Sequence, residues 1–180
     1  MLLIGSVYAY FSTDLTVWSE VQKVIASDGA HGDEFGCAVA TQDFTLAIGA
    51  QGASFPASGI VEGGAVYIYK SFNDGFSWTE LQKIFPGDLV TKAIFGHAIS
   101  LYGSALVVGA PGDDDNGAQS GSVYVYRSID GGVTWFLDHK VVASDGTTMD
   151  AFGTSVSYFD TAFAVGSLSK SGIGSFTGMF

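Results

Sequence analysis

The sequence predicts an all-β protein, a β-propeller built from four-stranded antiparallel sheets, with about three blades carried by 180 residues. Three observations predict it. The block GSVYVY from Gly121 recurs as GSVYAY from Gly5, as GAVYIY from Gly64 and, eroded, as GSFTGM from Gly174, and self-similarity at such a spacing marks a repeat architecture. Each copy holds four short segments rich in valine, aromatic and small residues and bounded by turn formers, the pattern of strands. Within the block, Val123 and Val125 alternate with Tyr124 and Tyr126, so both faces of that strand are large and apolar. A small sheet with two such faces needs a sheet on either side, and radial stacking of blades supplies one.

Taken in order, the first strand of each set follows a Phe-Gly pair: FGCAVA from Phe35, FGHAIS from Phe95 and FGTSVS from Phe152. The phenylalanine is expected to fill space between blades, and the glycine to permit close backbone approach or an unusual dihedral. The second strand ends on glycine, as LAIGA from Leu46, LVVGA from Leu106 and FAVGS from Phe163. The third is the recurring block, and the fourth runs from a tryptophan to a lysine: Trp18 to Lys23, Trp78 to Lys83 and Trp135 to Lys140. No segment keeps a 3.6-residue periodicity, so helix should be almost absent. Between fourth and first strands stand Asp28, Asp88 and Asp145, each seven residues before its Phe. They read as turn residues that fix one blade against the next. The repeats run approximately 5–63, 64–120 and 121–173 within a single region spanning 1–180.

Composition narrows the function classes. A net charge of −11 with seven Lys and Arg in total argues against nucleic acid, which needs a basic footprint, and favours cations as partners. No run approaches eighteen apolar residues, so no membrane insertion is expected. MLLIGSVYAYF lacks the basic region and cleavage site of a signal peptide. Cys37 is the single cysteine, which leaves no internal disulfide.

The Phe-Gly pairs and the Gly-Ala-Pro at Gly109, Ala110 and Pro111 carry a resemblance to the FG-GAP repeats of integrin α chains and of many microbial and algal surface proteins. The stretch FGHAISLYGSALVVGAPGDDDNGAQSGSVYVY from Phe95 is its most specific piece. Gln51 stands where the first copy would have proline, and Gly166-Ser167 lacks the Ala-Pro. The calcium loop that integrin blades carry between first and second strands is reduced here to ATQDFT, SLYGSA or SYFDTA. SIDGGVTW from Ser128 resembles the Asp-box turn of sialidase-like propellers, SFNDGFSW from Ser71 fits with Asn73 in the Asp place, and STDLTVW from Ser12 is one residue short. The second resemblance implies that Asp130 or Asn73 bonds the turn's backbone while Trp135 or Trp78 packs beneath it, with no catalysis.

The acidic run Asp113, Asp114, Asp115 and Asn116, flanked by Gly112 and Gly117, is the candidate metal site, because clustered carboxylates and a side-chain carbonyl are hard oxygen ligands suited to Ca2+. Asp113 and Asp115 are the principal expected ligands and Asn116 assists; a solvated acidic loop is the alternative, since the strict spacing of a known calcium loop is missing. Cys37, His97 and Thr154 follow the Phe-Gly pairs in the same slot and are expected to line a shared axial channel. A zinc site there lacks the three or four ligands it needs.

Two functions compete. FG-GAP resemblance implies a non-enzymatic interaction or adhesion module, extracellular or at the cell surface, presenting loops to a protein or glycan ligand. The Asp-box turns suggest a sialidase-like glycoside hydrolase, which is disfavoured because such enzymes clamp a carboxylate with several arginines and Arg127 is the single one here. The chain reads from a third strand to a third strand, so it is expected either to be part of a longer propeller or to complete one as a head-to-tail homo-oligomer.

Overall fold

The computed structural model describes residues 5–169. Among the described residues twelve strands form four antiparallel sheets. Blade I holds β1 (Val7–Phe11) and β2 (Ser19–Val24). Blade II holds β3 (Phe35–Gln42), β4 (Thr45–Ala50), β5 (Ala65–Lys70) and β6 (Thr79–Ile84), paired in that order. Blade III repeats the order with β7 (Ala98–Tyr102), β8 (Ala105–Ala110), β9 (Ser122–Arg127) and β10 (Phe136–Val141). Blade IV holds β11 (Phe152–Phe159) and β12 (Ala162–Ser167). Among the described residues the sole helical turn is a 3-10 turn at Pro56–Ser58. The third-strand copy at Gly174 lies outside the described residues.

Alternation along the third strands fills the gaps between blades. Tyr67 and Tyr69 of β5 pack with Phe35, Leu46 and Ile48 against Val24 of blade I. Val66 and Ile68, on the opposite face of β5, pack against Phe95, Leu106, Tyr124 and Tyr126 of blade III. Val123 and Val125 turn the other way and meet Phe152, Val156 and Val165 of blade IV. Both faces of the complete sheets are therefore core, as the two-faced sequence pattern requires. The phenylalanines sit edge-on to the tyrosines, Phe35 at 5.4 Å from Tyr67 and Phe95 at 5.3 Å from Tyr124 between ring centroids, the preferred aromatic arrangement.

Backbone contact ties each blade to the next. Gly64 bridges Phe95 and Gly121 bridges Phe152 in parallel. A Cβ at either glycine would lie 2.1 Å from the phenylalanine carbonyl oxygen, so no other residue fits. From the preceding blade, the carbonyls of Val61, Glu62 and Gly63 accept from Lys92, Ile94 and Phe95, while those of Ala118, Gln119 and Ser120 accept from Met149, Ala151 and Phe152. The left-handed Gly36 and Gly153, with φ of 95° and 96°, bulge the first strand after its phenylalanine, where the register shifts. In blade III the same turn at Gly96 delays the strand, so β7 starts at Ala98 rather than at Phe95.

One cross-strand pair differs between the complete blades. Tyr69 lies opposite Glu80 and gives its hydroxyl to that carboxylate at 2.7 Å, whereas Tyr126 lies opposite Leu137 and its buried hydroxyl has no hydrogen-bond partner. Leu137 itself is 49% exposed. Leu137→Glu is expected to supply the missing acceptor and raise stability by about 1 kcal/mol, seen as a melting temperature higher by about 2–4 °C. An unchanged or lower melting temperature would show that the hydroxyl is not what limits this pair.

Candidate functional site

The acidic loop 112–117 connects β8 to β9, and its carboxylates face a lysine. Lys140 of β10 places Nζ 2.6 Å from Asp115 Oδ2, 3.0 Å from Asp113 Oδ2 and 2.8 Å from Asp88 Oδ2. The ammonium also lies 4.9 Å from the centroid of the Tyr124 ring. Asp113 is buried, and the Tyr124 hydroxyl lies 2.7 Å from its Oδ2 and 3.2 Å from Asp88 Oδ1. Ser122 donates to Asp115 Oδ2 at 2.9 Å. Asp114 and Asn116 turn elsewhere: Asp114 Oδ1 accepts from Gln119 N, and the Asn116 amide donates to Ala143 O at 3.0 Å, in the connector to blade IV. The four residues of the predicted metal loop thus do not converge on one point, and two of them share Lys140. Among the described residues no group of three or more His, Cys, Asp or Glu is arranged to hold a metal ion.

Electrostatics follow from this packing. Burial works against ionisation of Asp115, but hydrogen bonds from Lys140 and Ser122 outweigh it, and its carboxyl stays below the usual carboxylate range. Burial likewise penalises the Lys140 ammonium, and the hydrogen bonds to Asp115, Asp88 and Asp113 more than offset that, raising its pKa. Tyr124 is pushed far above the ordinary phenol range by burial first and then by its bond to Asp113.

The same position in blade II is built from different residues. Lys83 of β6 bonds Asp28 at 2.8 Å and stands over the rings of Tyr67 and Phe55 at 4.9 and 5.5 Å. The Tyr67 hydroxyl donates a hydrogen bond to Asp28 Oδ1 at 2.6 Å. Asp28 and Asp88 therefore both leave one blade and clamp the tyrosine and lysine of the next. A second clasp was not predicted. Gln22 of β2 receives Trp78 N at 2.6 Å and donates to Trp78 O at 3.0 Å; Gln82 of β6 does the same with Trp135 at 2.8 and 3.0 Å. The signal was present as a glutamine four residues after Trp18 and Trp78, a place taken by His139 after Trp135.

Cys37 and Thr154 lie in β3 and β11 and His97 immediately before β7, and each has a partner of its own, across the joint of blades II and III for Cys37 and His97 and within its own turn for Thr154. Cys37 Sγ lies 3.5 Å from Gly96 O, His97 Nδ1 lies 2.5 Å from Gln51 Oε1, and Thr154 donates to Ala151 O at 2.6 Å. His97 and Thr154 do share a cleft of about 330 Å³ between blades III and IV, lined also by Glu62, Lys92, Pro111 and Gln119. A neighbouring cleft of about 250 Å³ between blades II and III adds Glu34 and Gln51 and again includes His97 and Glu62.

The sequence model of the FG-GAP repeat matches residues 18–69, 78–126 and 135–178. The chain belongs to the FG-GAP repeat family. FG-GAP repeats build integrin-like propellers of the adhesion and interaction type, generally without enzymatic activity and typical of extracellular proteins. No curated protein matches the chain significantly. No helix among the described residues is long and apolar enough to cross a membrane.

In each turn before a tryptophan of these FG-GAP repeats an Asp or Asn side chain accepts from the turn's backbone, but the indole bond of Trp135 is not repeated at Trp78, whose Nε1 is buried without a partner. Asp130 Oδ1 accepts from Ser128 Oγ, Val133 N and Thr134 N at 2.9 to 3.1 Å, and Gly132 N donates to Ser128 Oγ at 2.8 Å. Trp135 is buried and donates Nε1–H to Gly132 O at 3.2 Å. Asn73 accepts from Ser77 N at 2.9 Å in blade II, and Asp14 from Thr16 N at 2.9 Å in blade I. Bonds from the Thr134 side chain and backbone hold Asp130 down at about 2, and bonds from Thr16 do the same for Asp14. A depressed folded-state pKa gives stability that is present above the unfolded value of 3.8 and is lost as pH falls through about 2. Carbon NMR of the Asp130 and Asp14 carboxyls should titrate with midpoints near 2, while the Asn73 turn keeps its amide shifts over the same range. Midpoints near 4 would mean that these turns do not hold the ionised carboxylate.

Proposed function

We propose that this FG-GAP chain is a non-enzymatic, extracellular adhesion or interaction module that recognises a protein or glycan ligand with the loops between second and third strands and the connectors between blades. The observation that carries the reading is the pair of adjoining clefts that share His97, Ile94 and Glu62. Their walls are fixed by the backbone ladder between 61–63 and 92–95 and between 118–120 and 149–152, while the side chains of Glu62, Lys92 and Gln119 are exposed. A backbone held by this ladder that presents polar side chains beside the apolar lining residues Ile94, Pro111 and Leu168 suits recognition without a large ordering cost. Arg127 is held by Asp138 at 3.1 Å at the far edge of its strand, so it does not contribute to these clefts.

Beads carrying the wild-type chain are expected to bind a subset of arrayed glycans or immobilised extracellular matrix proteins. A Glu62→Ala, Gln119→Ala double variant should lose about tenfold or more of that binding with an unchanged melting temperature. Undiminished binding by the variant, or turnover of a fluorogenic sialoside by the wild type, would overturn the reading.

Calcium on the Asp113–Asn116 loop belongs to the same proposal, as a competitor of Lys140 for Asp113 and Asp115. Removing the ammonium leaves carboxylates that repel one another in a partly buried site, which a divalent cation relieves. The Lys140→Met variant should therefore melt well below wild type in chelator and recover in millimolar calcium, with the wild type shifting much less. Equal calcium shifts in the two proteins would remove calcium from the loop.

A further inference from the structure

We infer that Gln51 positions His97 for a neutral sugar ligand: by bridging Glu34 to the imidazole it leaves Nε2 of His97 as a hydrogen-bond acceptor for a sugar hydroxyl in the two adjoining clefts. The inference rests on the reading of those clefts as the recognition surface, and it names a glycan as what they take.

The residue types dictate the direction of each bond. Gln51 Nε2 lies 2.5 Å from Glu34 Oε2, and Gln51 Oε1 lies 2.5 Å from His97 Nδ1. A carboxylate only accepts, so the amide nitrogen must face Glu34 and the amide oxygen must face the imidazole. That oxygen also only accepts, and Nδ1 therefore carries the proton. In the neutral ring the other nitrogen, Nε2, then holds the lone pair. His97 is half-buried and lines both clefts. With Nδ1 taken, Nε2 is the nitrogen it offers to a ligand.

The repeats show that a joint does not need this bridge. One blade on, Ile94, Pro111 and Thr154 stand where Glu34, Gln51 and His97 stand, and Thr154 turns to Ala151 O instead. The backbone ladder is nevertheless the same at both joints, 61–63 with 92–95 and 118–120 with 149–152. The bridge is thus an addition to the joint between the two complete blades. It sits at the place where the first copy departs from Gly-Ala-Pro. Around it Glu34, Glu62, Lys92, Ile94 and Gln119 hold left-handed φ values of 49° to 65°, and non-glycine residues held in this way concentrate at ligand sites.

Size and hydrogen-bonding character select the ligand class. Clefts of about 330 and 250 Å³ fall at the lower end of small-ligand sites, which run from about 300 to 1,000 Å³, whereas a folded partner spreads over about 800 Å² of surface. A sugar ring suits that space. The Glu34 and Glu62 carboxylates and His97 Nε2 accept hydrogen bonds, Lys92 donates, and Gln119 does both. A predominance of acceptors matches a ligand whose hydroxyls donate, and Lys92, which lines the same cleft as Glu62, opposes a cationic one. Ile94, common to both clefts, offers an apolar surface to the C–H face of the ring.

Long-range proton–nitrogen correlation spectra of the full chain, recorded at about pH 8 where free imidazole is neutral, report the tautomer of His97 before any ligand is added. The wild type should show the Nδ1–H form. Gln51→Met should turn it into a mixture of both forms, while Glu34→Gln should keep it, because an amide oxygen at 34 still accepts from Gln51. The chain is then titrated with D-glucose, D-galactose, D-mannose and N-acetyl-D-glucosamine. At least one sugar should move the Nε2 resonance, and its affinity should fall about tenfold in Gln51→Met, the worth of one hydrogen bond, and less than about twofold in Glu34→Gln. An Nε2–H ring in the wild type, which needs no variant to be seen, or an unchanged tautomer in Gln51→Met overturns the positioning role. A His97 signal that answers none of the four sugars up to about 100 mM, or that answers a poly-L-lysine peptide in their place, overturns the ligand class. Because the tautomer is read on the free protein, its failure is separate from a failure of the clefts to bind arrayed ligands.

Discussion

Both faces of the third strands in blades II and III, the two four-stranded sheets among the described residues, are buried and apolar, so neither of these blades can be left solvated on either side. Burying a valine, leucine or phenylalanine side chain contributes about 1.5–3 kcal/mol, and Val66, Ile68, Phe95, Leu106 and Tyr124 are all fully buried between blades II and III. Stability therefore resides between sheets rather than within them, as in repeat proteins generally. Apolar packing of this kind has no direction of its own. What fixes how far one blade slides against the next is the contact of Gly64 with Phe95 and of Gly121 with Phe152, where a single added carbon would collide with a carbonyl.

Onto that backbone seam the polar clamp adds charge. Asp113 is 2% exposed and Lys140 21%, and an ionic group so withdrawn from water is tolerated only when it is paired and hydrogen-bonded. The Lys140 ammonium meets this requirement for three carboxylates from two blades at once, and it rests on the Tyr124 ring, whose hydroxyl completes the network. Such a buried pair adds little net stability compared with an apolar replacement. Its effect is on specificity, because only one relative placement of blades II and III satisfies Asp88 and Asp113 together.

Strand order and the inward alternation of the third strand were legible in the sequence because each depends on local pattern: turn residues, the two-residue period and the tryptophan to lysine span. The spacing of Asp28 and Asp88 before Phe35 and Phe95 also announced contacts between blades, and both aspartates make them. The carboxylates of 113–116 were equally visible, but the cation among them was not. Lys140 belongs to another strand, and its arrival depends on the antiparallel pairing that sets it opposite Tyr124. Gln22 and Gln82 escaped for a different reason. A glutamine on an outer strand looks like a solvated side chain, and only the recurrence of its spacing after tryptophan distinguishes it.

Comparison of the two complete blades shows how the joint varies without losing its geometry. Blade II has Ala53 and Phe55 where blade III has Asp113 and Asp115, and Lys83 accordingly takes one carboxylate and two aromatic faces in place of three carboxylates and one face. Blade II then gains a second clasp that blade III lacks, with Glu80 receiving Ser27 N at 3.0 Å and the Tyr69 hydroxyl at 2.7 Å. In blade III, Gly87 and Leu137 stand in those places, and the Tyr126 hydroxyl is left without a partner. The carboxylates are thus divided in blade II, Asp28 on Tyr67 and Lys83 and Glu80 on Tyr69 and Ser27, and gathered on Lys140 in blade III. The acidic run of Asp113 to Asp115 is one form of this exchange: its charge belongs first to the joint that Lys140 closes, and any ligand of the loop meets it on those terms.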